Sequence, residues 1–439
     1  MNLGLSFRRN FLLLGDILLF LLALIISLLI GFGKDFNSHV FLQHLFPFSI
    51  LLLFWLFFFA IEGGYDLYAL KNNFSLIGKV VFLFIFIIVS SSLFFYFFKN
   101  FQITPKQNLI NFSLIFCVFV FSWRKLALFL YSKHFRYKMV ILGVNQSSEK
   151  LANQLIKNPQ LGWHFGGFVN EKNLKEIINS RDKIDFNFLV LAKKFKIDKE
   201  KENLFFDLLS KRVDILNLDE VYETIFQRIP VEFIDYSWFI NNLKEGKKGL
   251  YDKVKRIFDV CFAAFILVVT LFLWFLIAIA IKLEDRGPVF YKQKRVGKDK
   301  GVFCLIKFRS MVPNAEKNGP LWAEKNDPRI TKVGKILRRT HLDELPQMIN
   351  VLKGDISLVG PRPERPEFVE KLEKEIPYYH LRHIVKPGFT GWAQIKFRYA
   401  RSVIDSLEKF EYDLYYIKNR SLLLDIYILL KTFGLFFRG

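Results

Sequence analysis

The stretch VCFAAFILVVTLFLWFLIAIAI (260–281) contains 22 residues without a charge, which is enough for a helix to cross a bilayer. Basic residues occupy both of its flanks, at 253–256 and at 282–295. Because basic flanks stay on the cytoplasmic side of a membrane, a straight span would violate that rule at one end. The pattern therefore predicts a helix that enters the membrane, bends and leaves on the same face. No proline lies between 257 and 287, so the hydroxyl of Thr270 is the only candidate for a bend.

The composition indicates a membrane protein with a negatively charged partner. Aromatic residues make up 17% of the 439 residues and the mean hydropathy is +0.23, values that favour apolar spans over a soluble chain. The net charge of +22 favours anionic lipid or a phosphorylated substrate. Nucleic acid is not favoured, because no long basic-aromatic patch or nucleic-acid motif occurs. The three cysteines have no metal-ligand spacing.

The first third of the chain carries four apolar stretches, at about 11–31, 46–61, 78–98 and 109–131. Each is near the length of a spanning helix, although the second is short. Arg8 and Arg9 precede the first stretch, and a basic segment from Arg124 to Lys138 follows the fourth. An even number of spans with both ends in the cytoplasm is consistent with these charges.

From about Tyr137 the pattern changes to short buried strands that alternate with helices, which predicts a small parallel α/β domain. Its first turn, in KMVILGVNQSSEKLANQL (138–155), is where a G-x-G-x-x-G dinucleotide fingerprint would lie. The corresponding positions are Gly143, Asn145 and Ser148, so only the first glycine is present. We therefore expect a scaffolding or regulatory domain that does not bind a cofactor.

Five motifs in the last third place basic side chains beside rigid elements. They are KFRSM (307–311), DPRIT (327–331), GKILRRT (334–340), GPRP (360–363) and RHIVKPGFTGWAQ (382–394). Prolines fix the backbone beside several of these side chains, and arginine can bind phosphate through two parallel hydrogen bonds. Together the motifs predict a cradle for a diphosphate.

The segment THLDELPQMINVLKGD (340–355) places Asp343 beside Glu344. Pro346 predicts a helix that begins close to Leu345, with a buried stripe formed by Leu345, Met348, Ile349 and Leu352. One carboxylate could attack as a nucleophile while the other holds a cation. Alternatively, both acids only stabilise a helix start, an effect of about 0.3–1 kcal/mol each, at a position that also attracts phosphate.

Long motifs in this region closely resemble the bacterial sugar transferase family of membrane-anchored phosphoglycosyl transferases. They are RGPVFYKQKRVG, KFRSM, GPLWAEKNDPRITKVGKILRRTHLDELPQ, INVLKGDISLVGPRPERPEFVE, RHIVKPGFTGWAQ and YDLYYIKN, and they fall within about 251–439. LDEVYETIFQRIPVEFIDYSWF (218–239) is similar to the family's connector. The resemblance extends to the large form of the family, which implies three parts. These are a four-helix membrane region (1–132), a degenerate Rossmann-like domain with its connector (133–248), and an α-rich α/β catalytic domain on a re-entrant helix (249–439).

The resemblance implies transfer of a sugar-1-phosphate from a UDP-sugar to undecaprenyl phosphate, with release of UMP, as the first membrane step of polysaccharide synthesis. Asp343 would be the nucleophile that forms a covalent phosphosugar intermediate, and Glu344 would hold Mg²⁺. Basic positions matching those that engage phosphates and nucleotide are Lys307, Arg309, Arg338 and Arg362. The implied location is the bacterial inner membrane with the catalytic domain on the cytoplasmic face, and a homodimer through the middle domain is a further expectation.

Two positions depart from the family pattern. Thr270, Leu271 and Phe272 stand where a proline usually breaks the re-entrant helix, and Ala400 stands where a glycine is common. Two other functional hypotheses remain. One is a direct transferase in which the two acids only bind metal. The other is a membrane scaffold that senses nucleotide and recruits enzymes of polysaccharide assembly.

Overall fold

The computed structural model describes most of the chain, and every structural statement below concerns those residues. They are 5–70, 73–98, 106–133, 137–179, 185–192, 199–243, 248–313, 315, 327–397 and 402–436. Ala400 and the whole of GPLWAEK (319–325) lie outside them. The chain divides into two compact units, Met1–Val221 and Tyr222–Gly439. The three-part boundaries expected from the sequence stay predictions.

The first unit begins with four long apolar helices. They are α1 (Leu5–Phe32), α2 (Ser38–Ile61), α3 (Asn73–Phe97) and α4 (Lys106–Lys133). By length and composition each could cross a membrane, as could a fifth helix in the second unit. Each of the four apolar stretches of the sequence falls in one of these helices. Aromatic side chains such as Phe20, Trp55 and Phe112 fill the core between them.

Two arginines that the sequence suggested as basic flanks have other roles in the structure. Arg124 is fully buried in α4 and donates to both carboxylate oxygens of Asp16 at 2.8 and 2.7 Å. Arg8 is buried at the start of α1 and donates to the backbone oxygens of Leu161 and Gly162. The interpretation of Arg124 as a flanking charge was wrong, because a guanidinium buried in apolar surroundings needs an anionic partner.

The rest of the first unit is built on a four-stranded sheet. Its strands are β1 (Tyr137–Leu142), β2 (Trp163–Val169), β3 (Phe188–Leu191) and β4 (Asp214–Asn217), and its helices are α5 (Gln146–Lys157), α6 (Glu171–Asn179), α7 (Lys199–Ser210) and α8 (Leu218–Phe226), the last crossing the unit boundary. All pairs are parallel in the order β2-β1-β3-β4. A membrane helix region plus an α/β domain is therefore confirmed. The strand order reverses beside β1, which is where doubly wound sheets bind ligands.

The turn after β1 is closed by its own side chains. Gly143 adopts φ +93, which accounts for the one glycine of the fingerprint. The Asn145 side chain accepts from the backbone N of Ser148, and the Ser148 hydroxyl accepts from the backbone N of Asn145. Asn145 also donates to the backbone oxygen of Ala192, which follows β3. These bonds engage groups that a phosphate would otherwise contact at the start of α5.

The second unit contains two small sheets among helices. Its helices are α9 (Tyr236–Asn242), α10 (Gly249–Asp285), α11 (Lys332–Arg339), α12 (Gln347–Lys353), α13 (Pro366–Glu375), α14 (Trp392–Lys396), α15 (Val403–Asn419) and α16 (Leu422–Phe436). The strands are β5 (Phe290–Val296) and β6 (Val302–Phe308), which pair antiparallel, and β7 (Ser357–Val359) and β8 (Gly388–Thr390), which pair parallel.

The helix α10 is uninterrupted over 37 residues, or about 55 Å at 1.5 Å per residue. The Thr270 hydroxyl donates to the backbone oxygen of Ile266 at 2.7 Å, and the helix continues past this point. One face of α10 packs on the rest of the unit. The opposite face exposes large apolar side chains, among them Val268 and Phe272 at 74% and 73% exposure, as expected of a helix that contacts lipid.

The helix predicted to begin close to Leu345 begins at Gln347, after a 3₁₀ turn that covers Leu342–Glu344. The predicted buried stripe was partly wrong: Met348 is buried, whereas the other three members are only half-buried. Val351 is fully buried instead. The cause is the 3₁₀ turn, whose three residues per turn change the register of the side chains that follow.

Candidate active site

The two acids lie in different surroundings within the 3₁₀ turn. Successive side chains of such a turn point about 120° apart, so neighbouring acids face different partners. His341, just before the turn, adopts the left-handed conformation with φ 54, which ends α11 sharply. Asp343 and Glu344 are both largely buried. The structure thus gives the two carboxylates different surroundings.

Glu344 forms the centre of a charge cluster. Its Oε1 accepts a hydrogen bond from Lys307 Nζ at 2.8 Å and another from Arg362 Nη2 at 2.6 Å. Burial acts to raise the pKa of Glu344, but the charges of Arg362 and Lys307 outweigh it and hold that pKa well below its usual range. Glu344 is therefore ionised across the physiological pH range.

Asp343 has the opposite environment. It is 7% exposed, and no hydrogen bond to its carboxylate comes from any residue that the structure describes. Burial first, and then the charge of Glu344, raise the pKa of Asp343 above its ordinary value, while Lys307 and Arg338 oppose that shift. A carboxylate without donors and with little solvation is more reactive as a nucleophile than one held by hydrogen bonds.

Lys307 reaches the turn because β6 is fastened to α12. Asn350 of α12 is 1% exposed; its side-chain oxygen accepts from Ile306 N at 3.0 Å and its amide donates to Cys304 O at 2.7 Å. Both partners lie on β6, just before Lys307. The sequence analysis missed Asn350. The sequence could have indicated Asn350, because it is a polar residue inside the apolar run MINVL. A buried polar side chain is expected to form hydrogen bonds, and an amide can both donate and accept them.

Arg362 is held by its backbone as well as by its neighbouring prolines. Arg382, which is buried, donates to the Arg362 backbone oxygen at 2.9 Å. Arg295 donates to the next oxygen, that of Pro363, also at 2.9 Å. Gly388 N donates to the oxygen of Pro361 at 2.9 Å. Three successive carbonyls are thus fixed around the arginine whose guanidinium donates to Glu344. The predicted contact of Arg362 with a diphosphate stays a prediction.

Arg338 lies on α11 near the dyad. Its Nε donates to the Ser310 hydroxyl at 2.8 Å, and its charge lowers the pKa of Asp343. The close approach depends on Gly334, where an added Cβ would lie 2.0 Å from the Ser310 backbone oxygen. Arg338 is therefore positioned beside the acids, while its predicted contact with phosphate or nucleotide stays a prediction.

Arg309 is not brought to the dyad. Its guanidinium forms a two-pronged ion pair with Asp285 at the end of α10, and its Nε donates to Pro288 O at 2.6 Å. Other predicted cradle arginines are also internal, since Arg329 pairs with Asp327 and Arg382 with Asp413. The structure groups Lys307, Arg338 and Arg362 near the acids. The predicted role of Arg309 in binding phosphate stays a prediction.

The residues present fit a magnesium ion of the kind that binds with a phosphorylated substrate. No cluster of three His, Cys, Asp or Glu side chains suited to a metal occurs in the described part of the chain. Mg²⁺ in phosphate sites, however, is usually held by one or two carboxylates plus phosphate oxygens. Both hydrogen bonds to Glu344 go to Oε1, and no described residue donates to its Oε2. Glu344 could hold such an ion through this oxygen.

The fold and site define a membrane-associated protein with a buried acidic dyad suited to phosphate chemistry. The model of the family "Bacterial sugar transferase" matches residues 250–439. A sugar transferase of Bacillus subtilis (strain 168), the uncharacterized EpsL, is 43% identical over 184 residues, which are 41% of this chain and 85% of that protein. The chain belongs to the bacterial sugar transferase family.

Two further relatives carry more specific names. One is the UDP-N-acetylgalactosamine-undecaprenyl-phosphate N-acetylgalactosaminephosphotransferase of Aeromonas hydrophila, 42% identical over 222 residues, which are 50% of this chain and 51% of that protein. The other is the UDP-glucose:undecaprenyl-phosphate glucose-1-phosphate transferase of Klebsiella pneumoniae, 33% identical over 290 residues, 63% of this chain and 62% of that protein. The matched part of this chain therefore spans about half to three fifths of their lengths.

Proposed function

We propose that this protein transfers a sugar-1-phosphate from a UDP-sugar to undecaprenyl phosphate and releases UMP, as the first membrane step of polysaccharide synthesis. The names of the Aeromonas and Klebsiella relatives support the two substrates, and they differ in the sugar. The identity of the sugar is therefore a separate question, which UMP release from a panel of UDP-sugars would answer.

The observation that carries the proposal is the difference in hydrogen bonding between the two acids. Glu344 is paired with Lys307 and Arg362, whereas the Asp343 carboxylate has no hydrogen bond from the described residues. A dyad that only bound metal or stabilised a helix start would not require a buried carboxylate without donors. This contrast supports Asp343 as the nucleophile.

The proposed reaction has two displacements at phosphorus. An Asp343 carboxylate oxygen attacks the sugar-bearing phosphorus of the UDP-sugar, the bond from that phosphorus to the bridging oxygen breaks, and UMP leaves with that oxygen. An oxygen of undecaprenyl phosphate then attacks the same phosphorus, the acyl phosphate bond breaks, and the Asp343 carboxylate is restored. Lys307 and Arg362 keep Glu344 ionised and contribute positive charge beside the transferring phosphoryl group.

We include Mg²⁺ as a cofactor, held by Glu344 together with the diphosphate of the substrate. Such an ion offsets the negative charge of the phosphates and of the leaving group.

We also propose that α10 enters and leaves the bilayer on the cytoplasmic face of the inner membrane. Near one end, Arg256 donates to backbone oxygens of α12. Near the other end, Ile277 and Ile281 pack with Phe308 of β6 and Leu337 of α11. A helix that crossed the membrane would draw these polar elements into it, at a cost of several kcal/mol for each unsatisfied backbone group. Contacts along the whole length of α10 therefore support re-entry.

Isotope exchange tests the covalent route. Membranes without lipid acceptor are incubated with UDP-sugar and labelled UMP, and labelled UDP-sugar is measured. A covalent intermediate predicts exchange, because UMP can reverse the first displacement. A direct transferase predicts none without acceptor, and a nucleotide-sensing scaffold predicts neither exchange nor turnover. The homodimer through the middle domain remains a proposal that the mass of the purified complex in detergent would test.

A further inference from the structure

Two polar side chains one turn apart on α10 hold the two ends of a single segment. Arg256 donates from Nη1 to Val351 O at 2.6 Å and from Nη2 to Leu352 O at 2.8 Å, both in the last turn of α12. Asp259 accepts from the Ser357 hydroxyl at 2.7 Å and from Leu358 N at 3.2 Å, both on β7. We call Arg256 and Asp259 the α10 clamp.

Both side chains of the clamp suit the groups that they bind. The last carbonyls of a helix lack partners within the helix and carry partial negative charge, so a guanidinium is a favourable donor there. Asp259 is 3% exposed, and a buried carboxylate is tolerated only when donors satisfy it. Residues three apart lie on one face of a helix, so Arg256 and Asp259 act on the same side.

The clamped segment connects the two halves of the site. The dyad turn leads into α12, the clamp holds the end of α12 and the start of β7, and β7 leads into Gly360–Arg362. Arg362 Nη2 then donates to Glu344 Oε1 at 2.6 Å, which closes the path back to the dyad. The spacing between α12 and β7 therefore determines whether Arg362 can reach Glu344.

We propose that Arg256 and Asp259 are positioning residues, which keep Arg362 paired with Glu344 beside Asp343. This inference rests on the proposed function for its kinetic readout. The clamp also connects the apolar helix α10 to the dyad through α12 and β7. The position of α10 therefore contributes to the geometry of the reacting groups.

Hydrogen–deuterium exchange on the full chain in detergent tests the geometry without any assay of activity. Arg256→Gln and Asp259→Ala are expected to speed the exchange of the amides in 354–358 and also in 360–362. Lys253→Gln is the matched control, because Lys253 is exposed on the same helix and its loss removes one positive charge. Unchanged exchange in 354–358 would refute the clamp. A change confined to 354–358, with 360–362 unaffected, would refute its positioning role.

Kinetics test the consequence for transfer. We expect kcat to fall about 10- to 100-fold in Asp259→Ala, as for displacements of about 1 Å, with KM for the UDP-sugar unchanged. Asp259→Asn should recover most of kcat, because an amide can accept from Leu358 N and donate to the Ser357 hydroxyl. In an Arg362→Lys background, Asp259→Ala should lower kcat little further, because the clamp acts through Arg362.

The outcomes separate the two proposals. If the wild type releases no UMP from any UDP-sugar, the proposed function fails and the exchange data alone decide the clamp. If the wild type is active and Asp259→Ala keeps its kcat, the clamp proposal fails alone. The clamp proposal is also overturned if the losses of kcat in Asp259→Ala and Arg362→Lys are additive and the thermal midpoint falls together with kcat. That result would show that Asp259 has a purely structural role.

Discussion

The roles that we propose for Asp343 and Glu344 differ because their surroundings differ, since the two side chains have the same chemistry. Lys307 and Arg362 both bind Glu344, and neither forms a hydrogen bond to Asp343. Burial then raises the pKa of Asp343. A buried carboxylate next to a cation-paired acid is an arrangement in which neighbouring groups drive two pKa values apart, and such arrangements are typical of catalytic sites.

The raised pKa of Asp343 predicts how activity depends on pH. Only the ionised carboxylate attacks, so kcat/KM should fall on the acid side at a higher pH than an ordinary aspartate, whose pKa is about 3.9, would give. The charge of Arg338 lowers the pKa of Asp343, so Arg338→Gln should move this acid limb to higher pH. The measurement is UMP release between pH 4 and 8.

Arg339→Gln is the control for that shift, because Arg339 is exposed on the same helix. It should leave the acid limb in place. An acid limb that moves equally in both variants, or that moves downward in Arg338→Gln, would contradict the assignment of Asp343 as the titrating nucleophile.

At the scale of elements, the junction of α12 with β6 depends on one buried amide. Asn350→Ala would remove the partners of Ile306 N and Cys304 O. Each intramolecular hydrogen bond lost in this way contributes about 0.5–1.5 kcal/mol to stability. We therefore expect a clearly lower thermal midpoint of the protein in detergent, and a lower kcat because Lys307 follows Ile306 on the same strand.

Lys353→Ala provides the comparison, since Lys353 is exposed on the same helix. Its thermal midpoint should equal that of the wild type. If Asn350→Ala were as stable as Lys353→Ala, the junction would not depend on this side chain.

The sequence predicted the elements better than the contacts between them. The apolar stretches, the parallel sheet and the acidic dyad all follow from local patterns. Arg309 and Arg382, however, lie in basic motifs like that of Arg362. Their partners are Asp285 and Asp413, which lie 24 and 31 residues away along the chain. Local sequence cannot tell an internal ion pair from a phosphate ligand when the deciding carboxylate is so distant along the chain.

At the scale of the whole molecule, the topology of α10 can be tested by labelling. In a variant with its three cysteines replaced by serine, Lys253→Cys and Arg286→Cys lie on either side of the uncharged stretch 260–281 of α10. Re-entry predicts that a membrane-impermeant thiol reagent labels both positions only after the cells are opened. Labelling of position 286 in intact spheroplasts would show that α10 crosses the membrane.

The central claim is that Asp343 carries the sugar phosphate through a covalent bond. The most direct measurement is mass spectrometry of peptides from acceptor-free membranes incubated with UDP-sugar and quenched in acid. A covalent route through Asp343 predicts a phosphosugar adduct on this residue, which is lost when undecaprenyl phosphate is added and absent in Asp343→Asn. An adduct on another residue, or full turnover by Asp343→Asn, would contradict it.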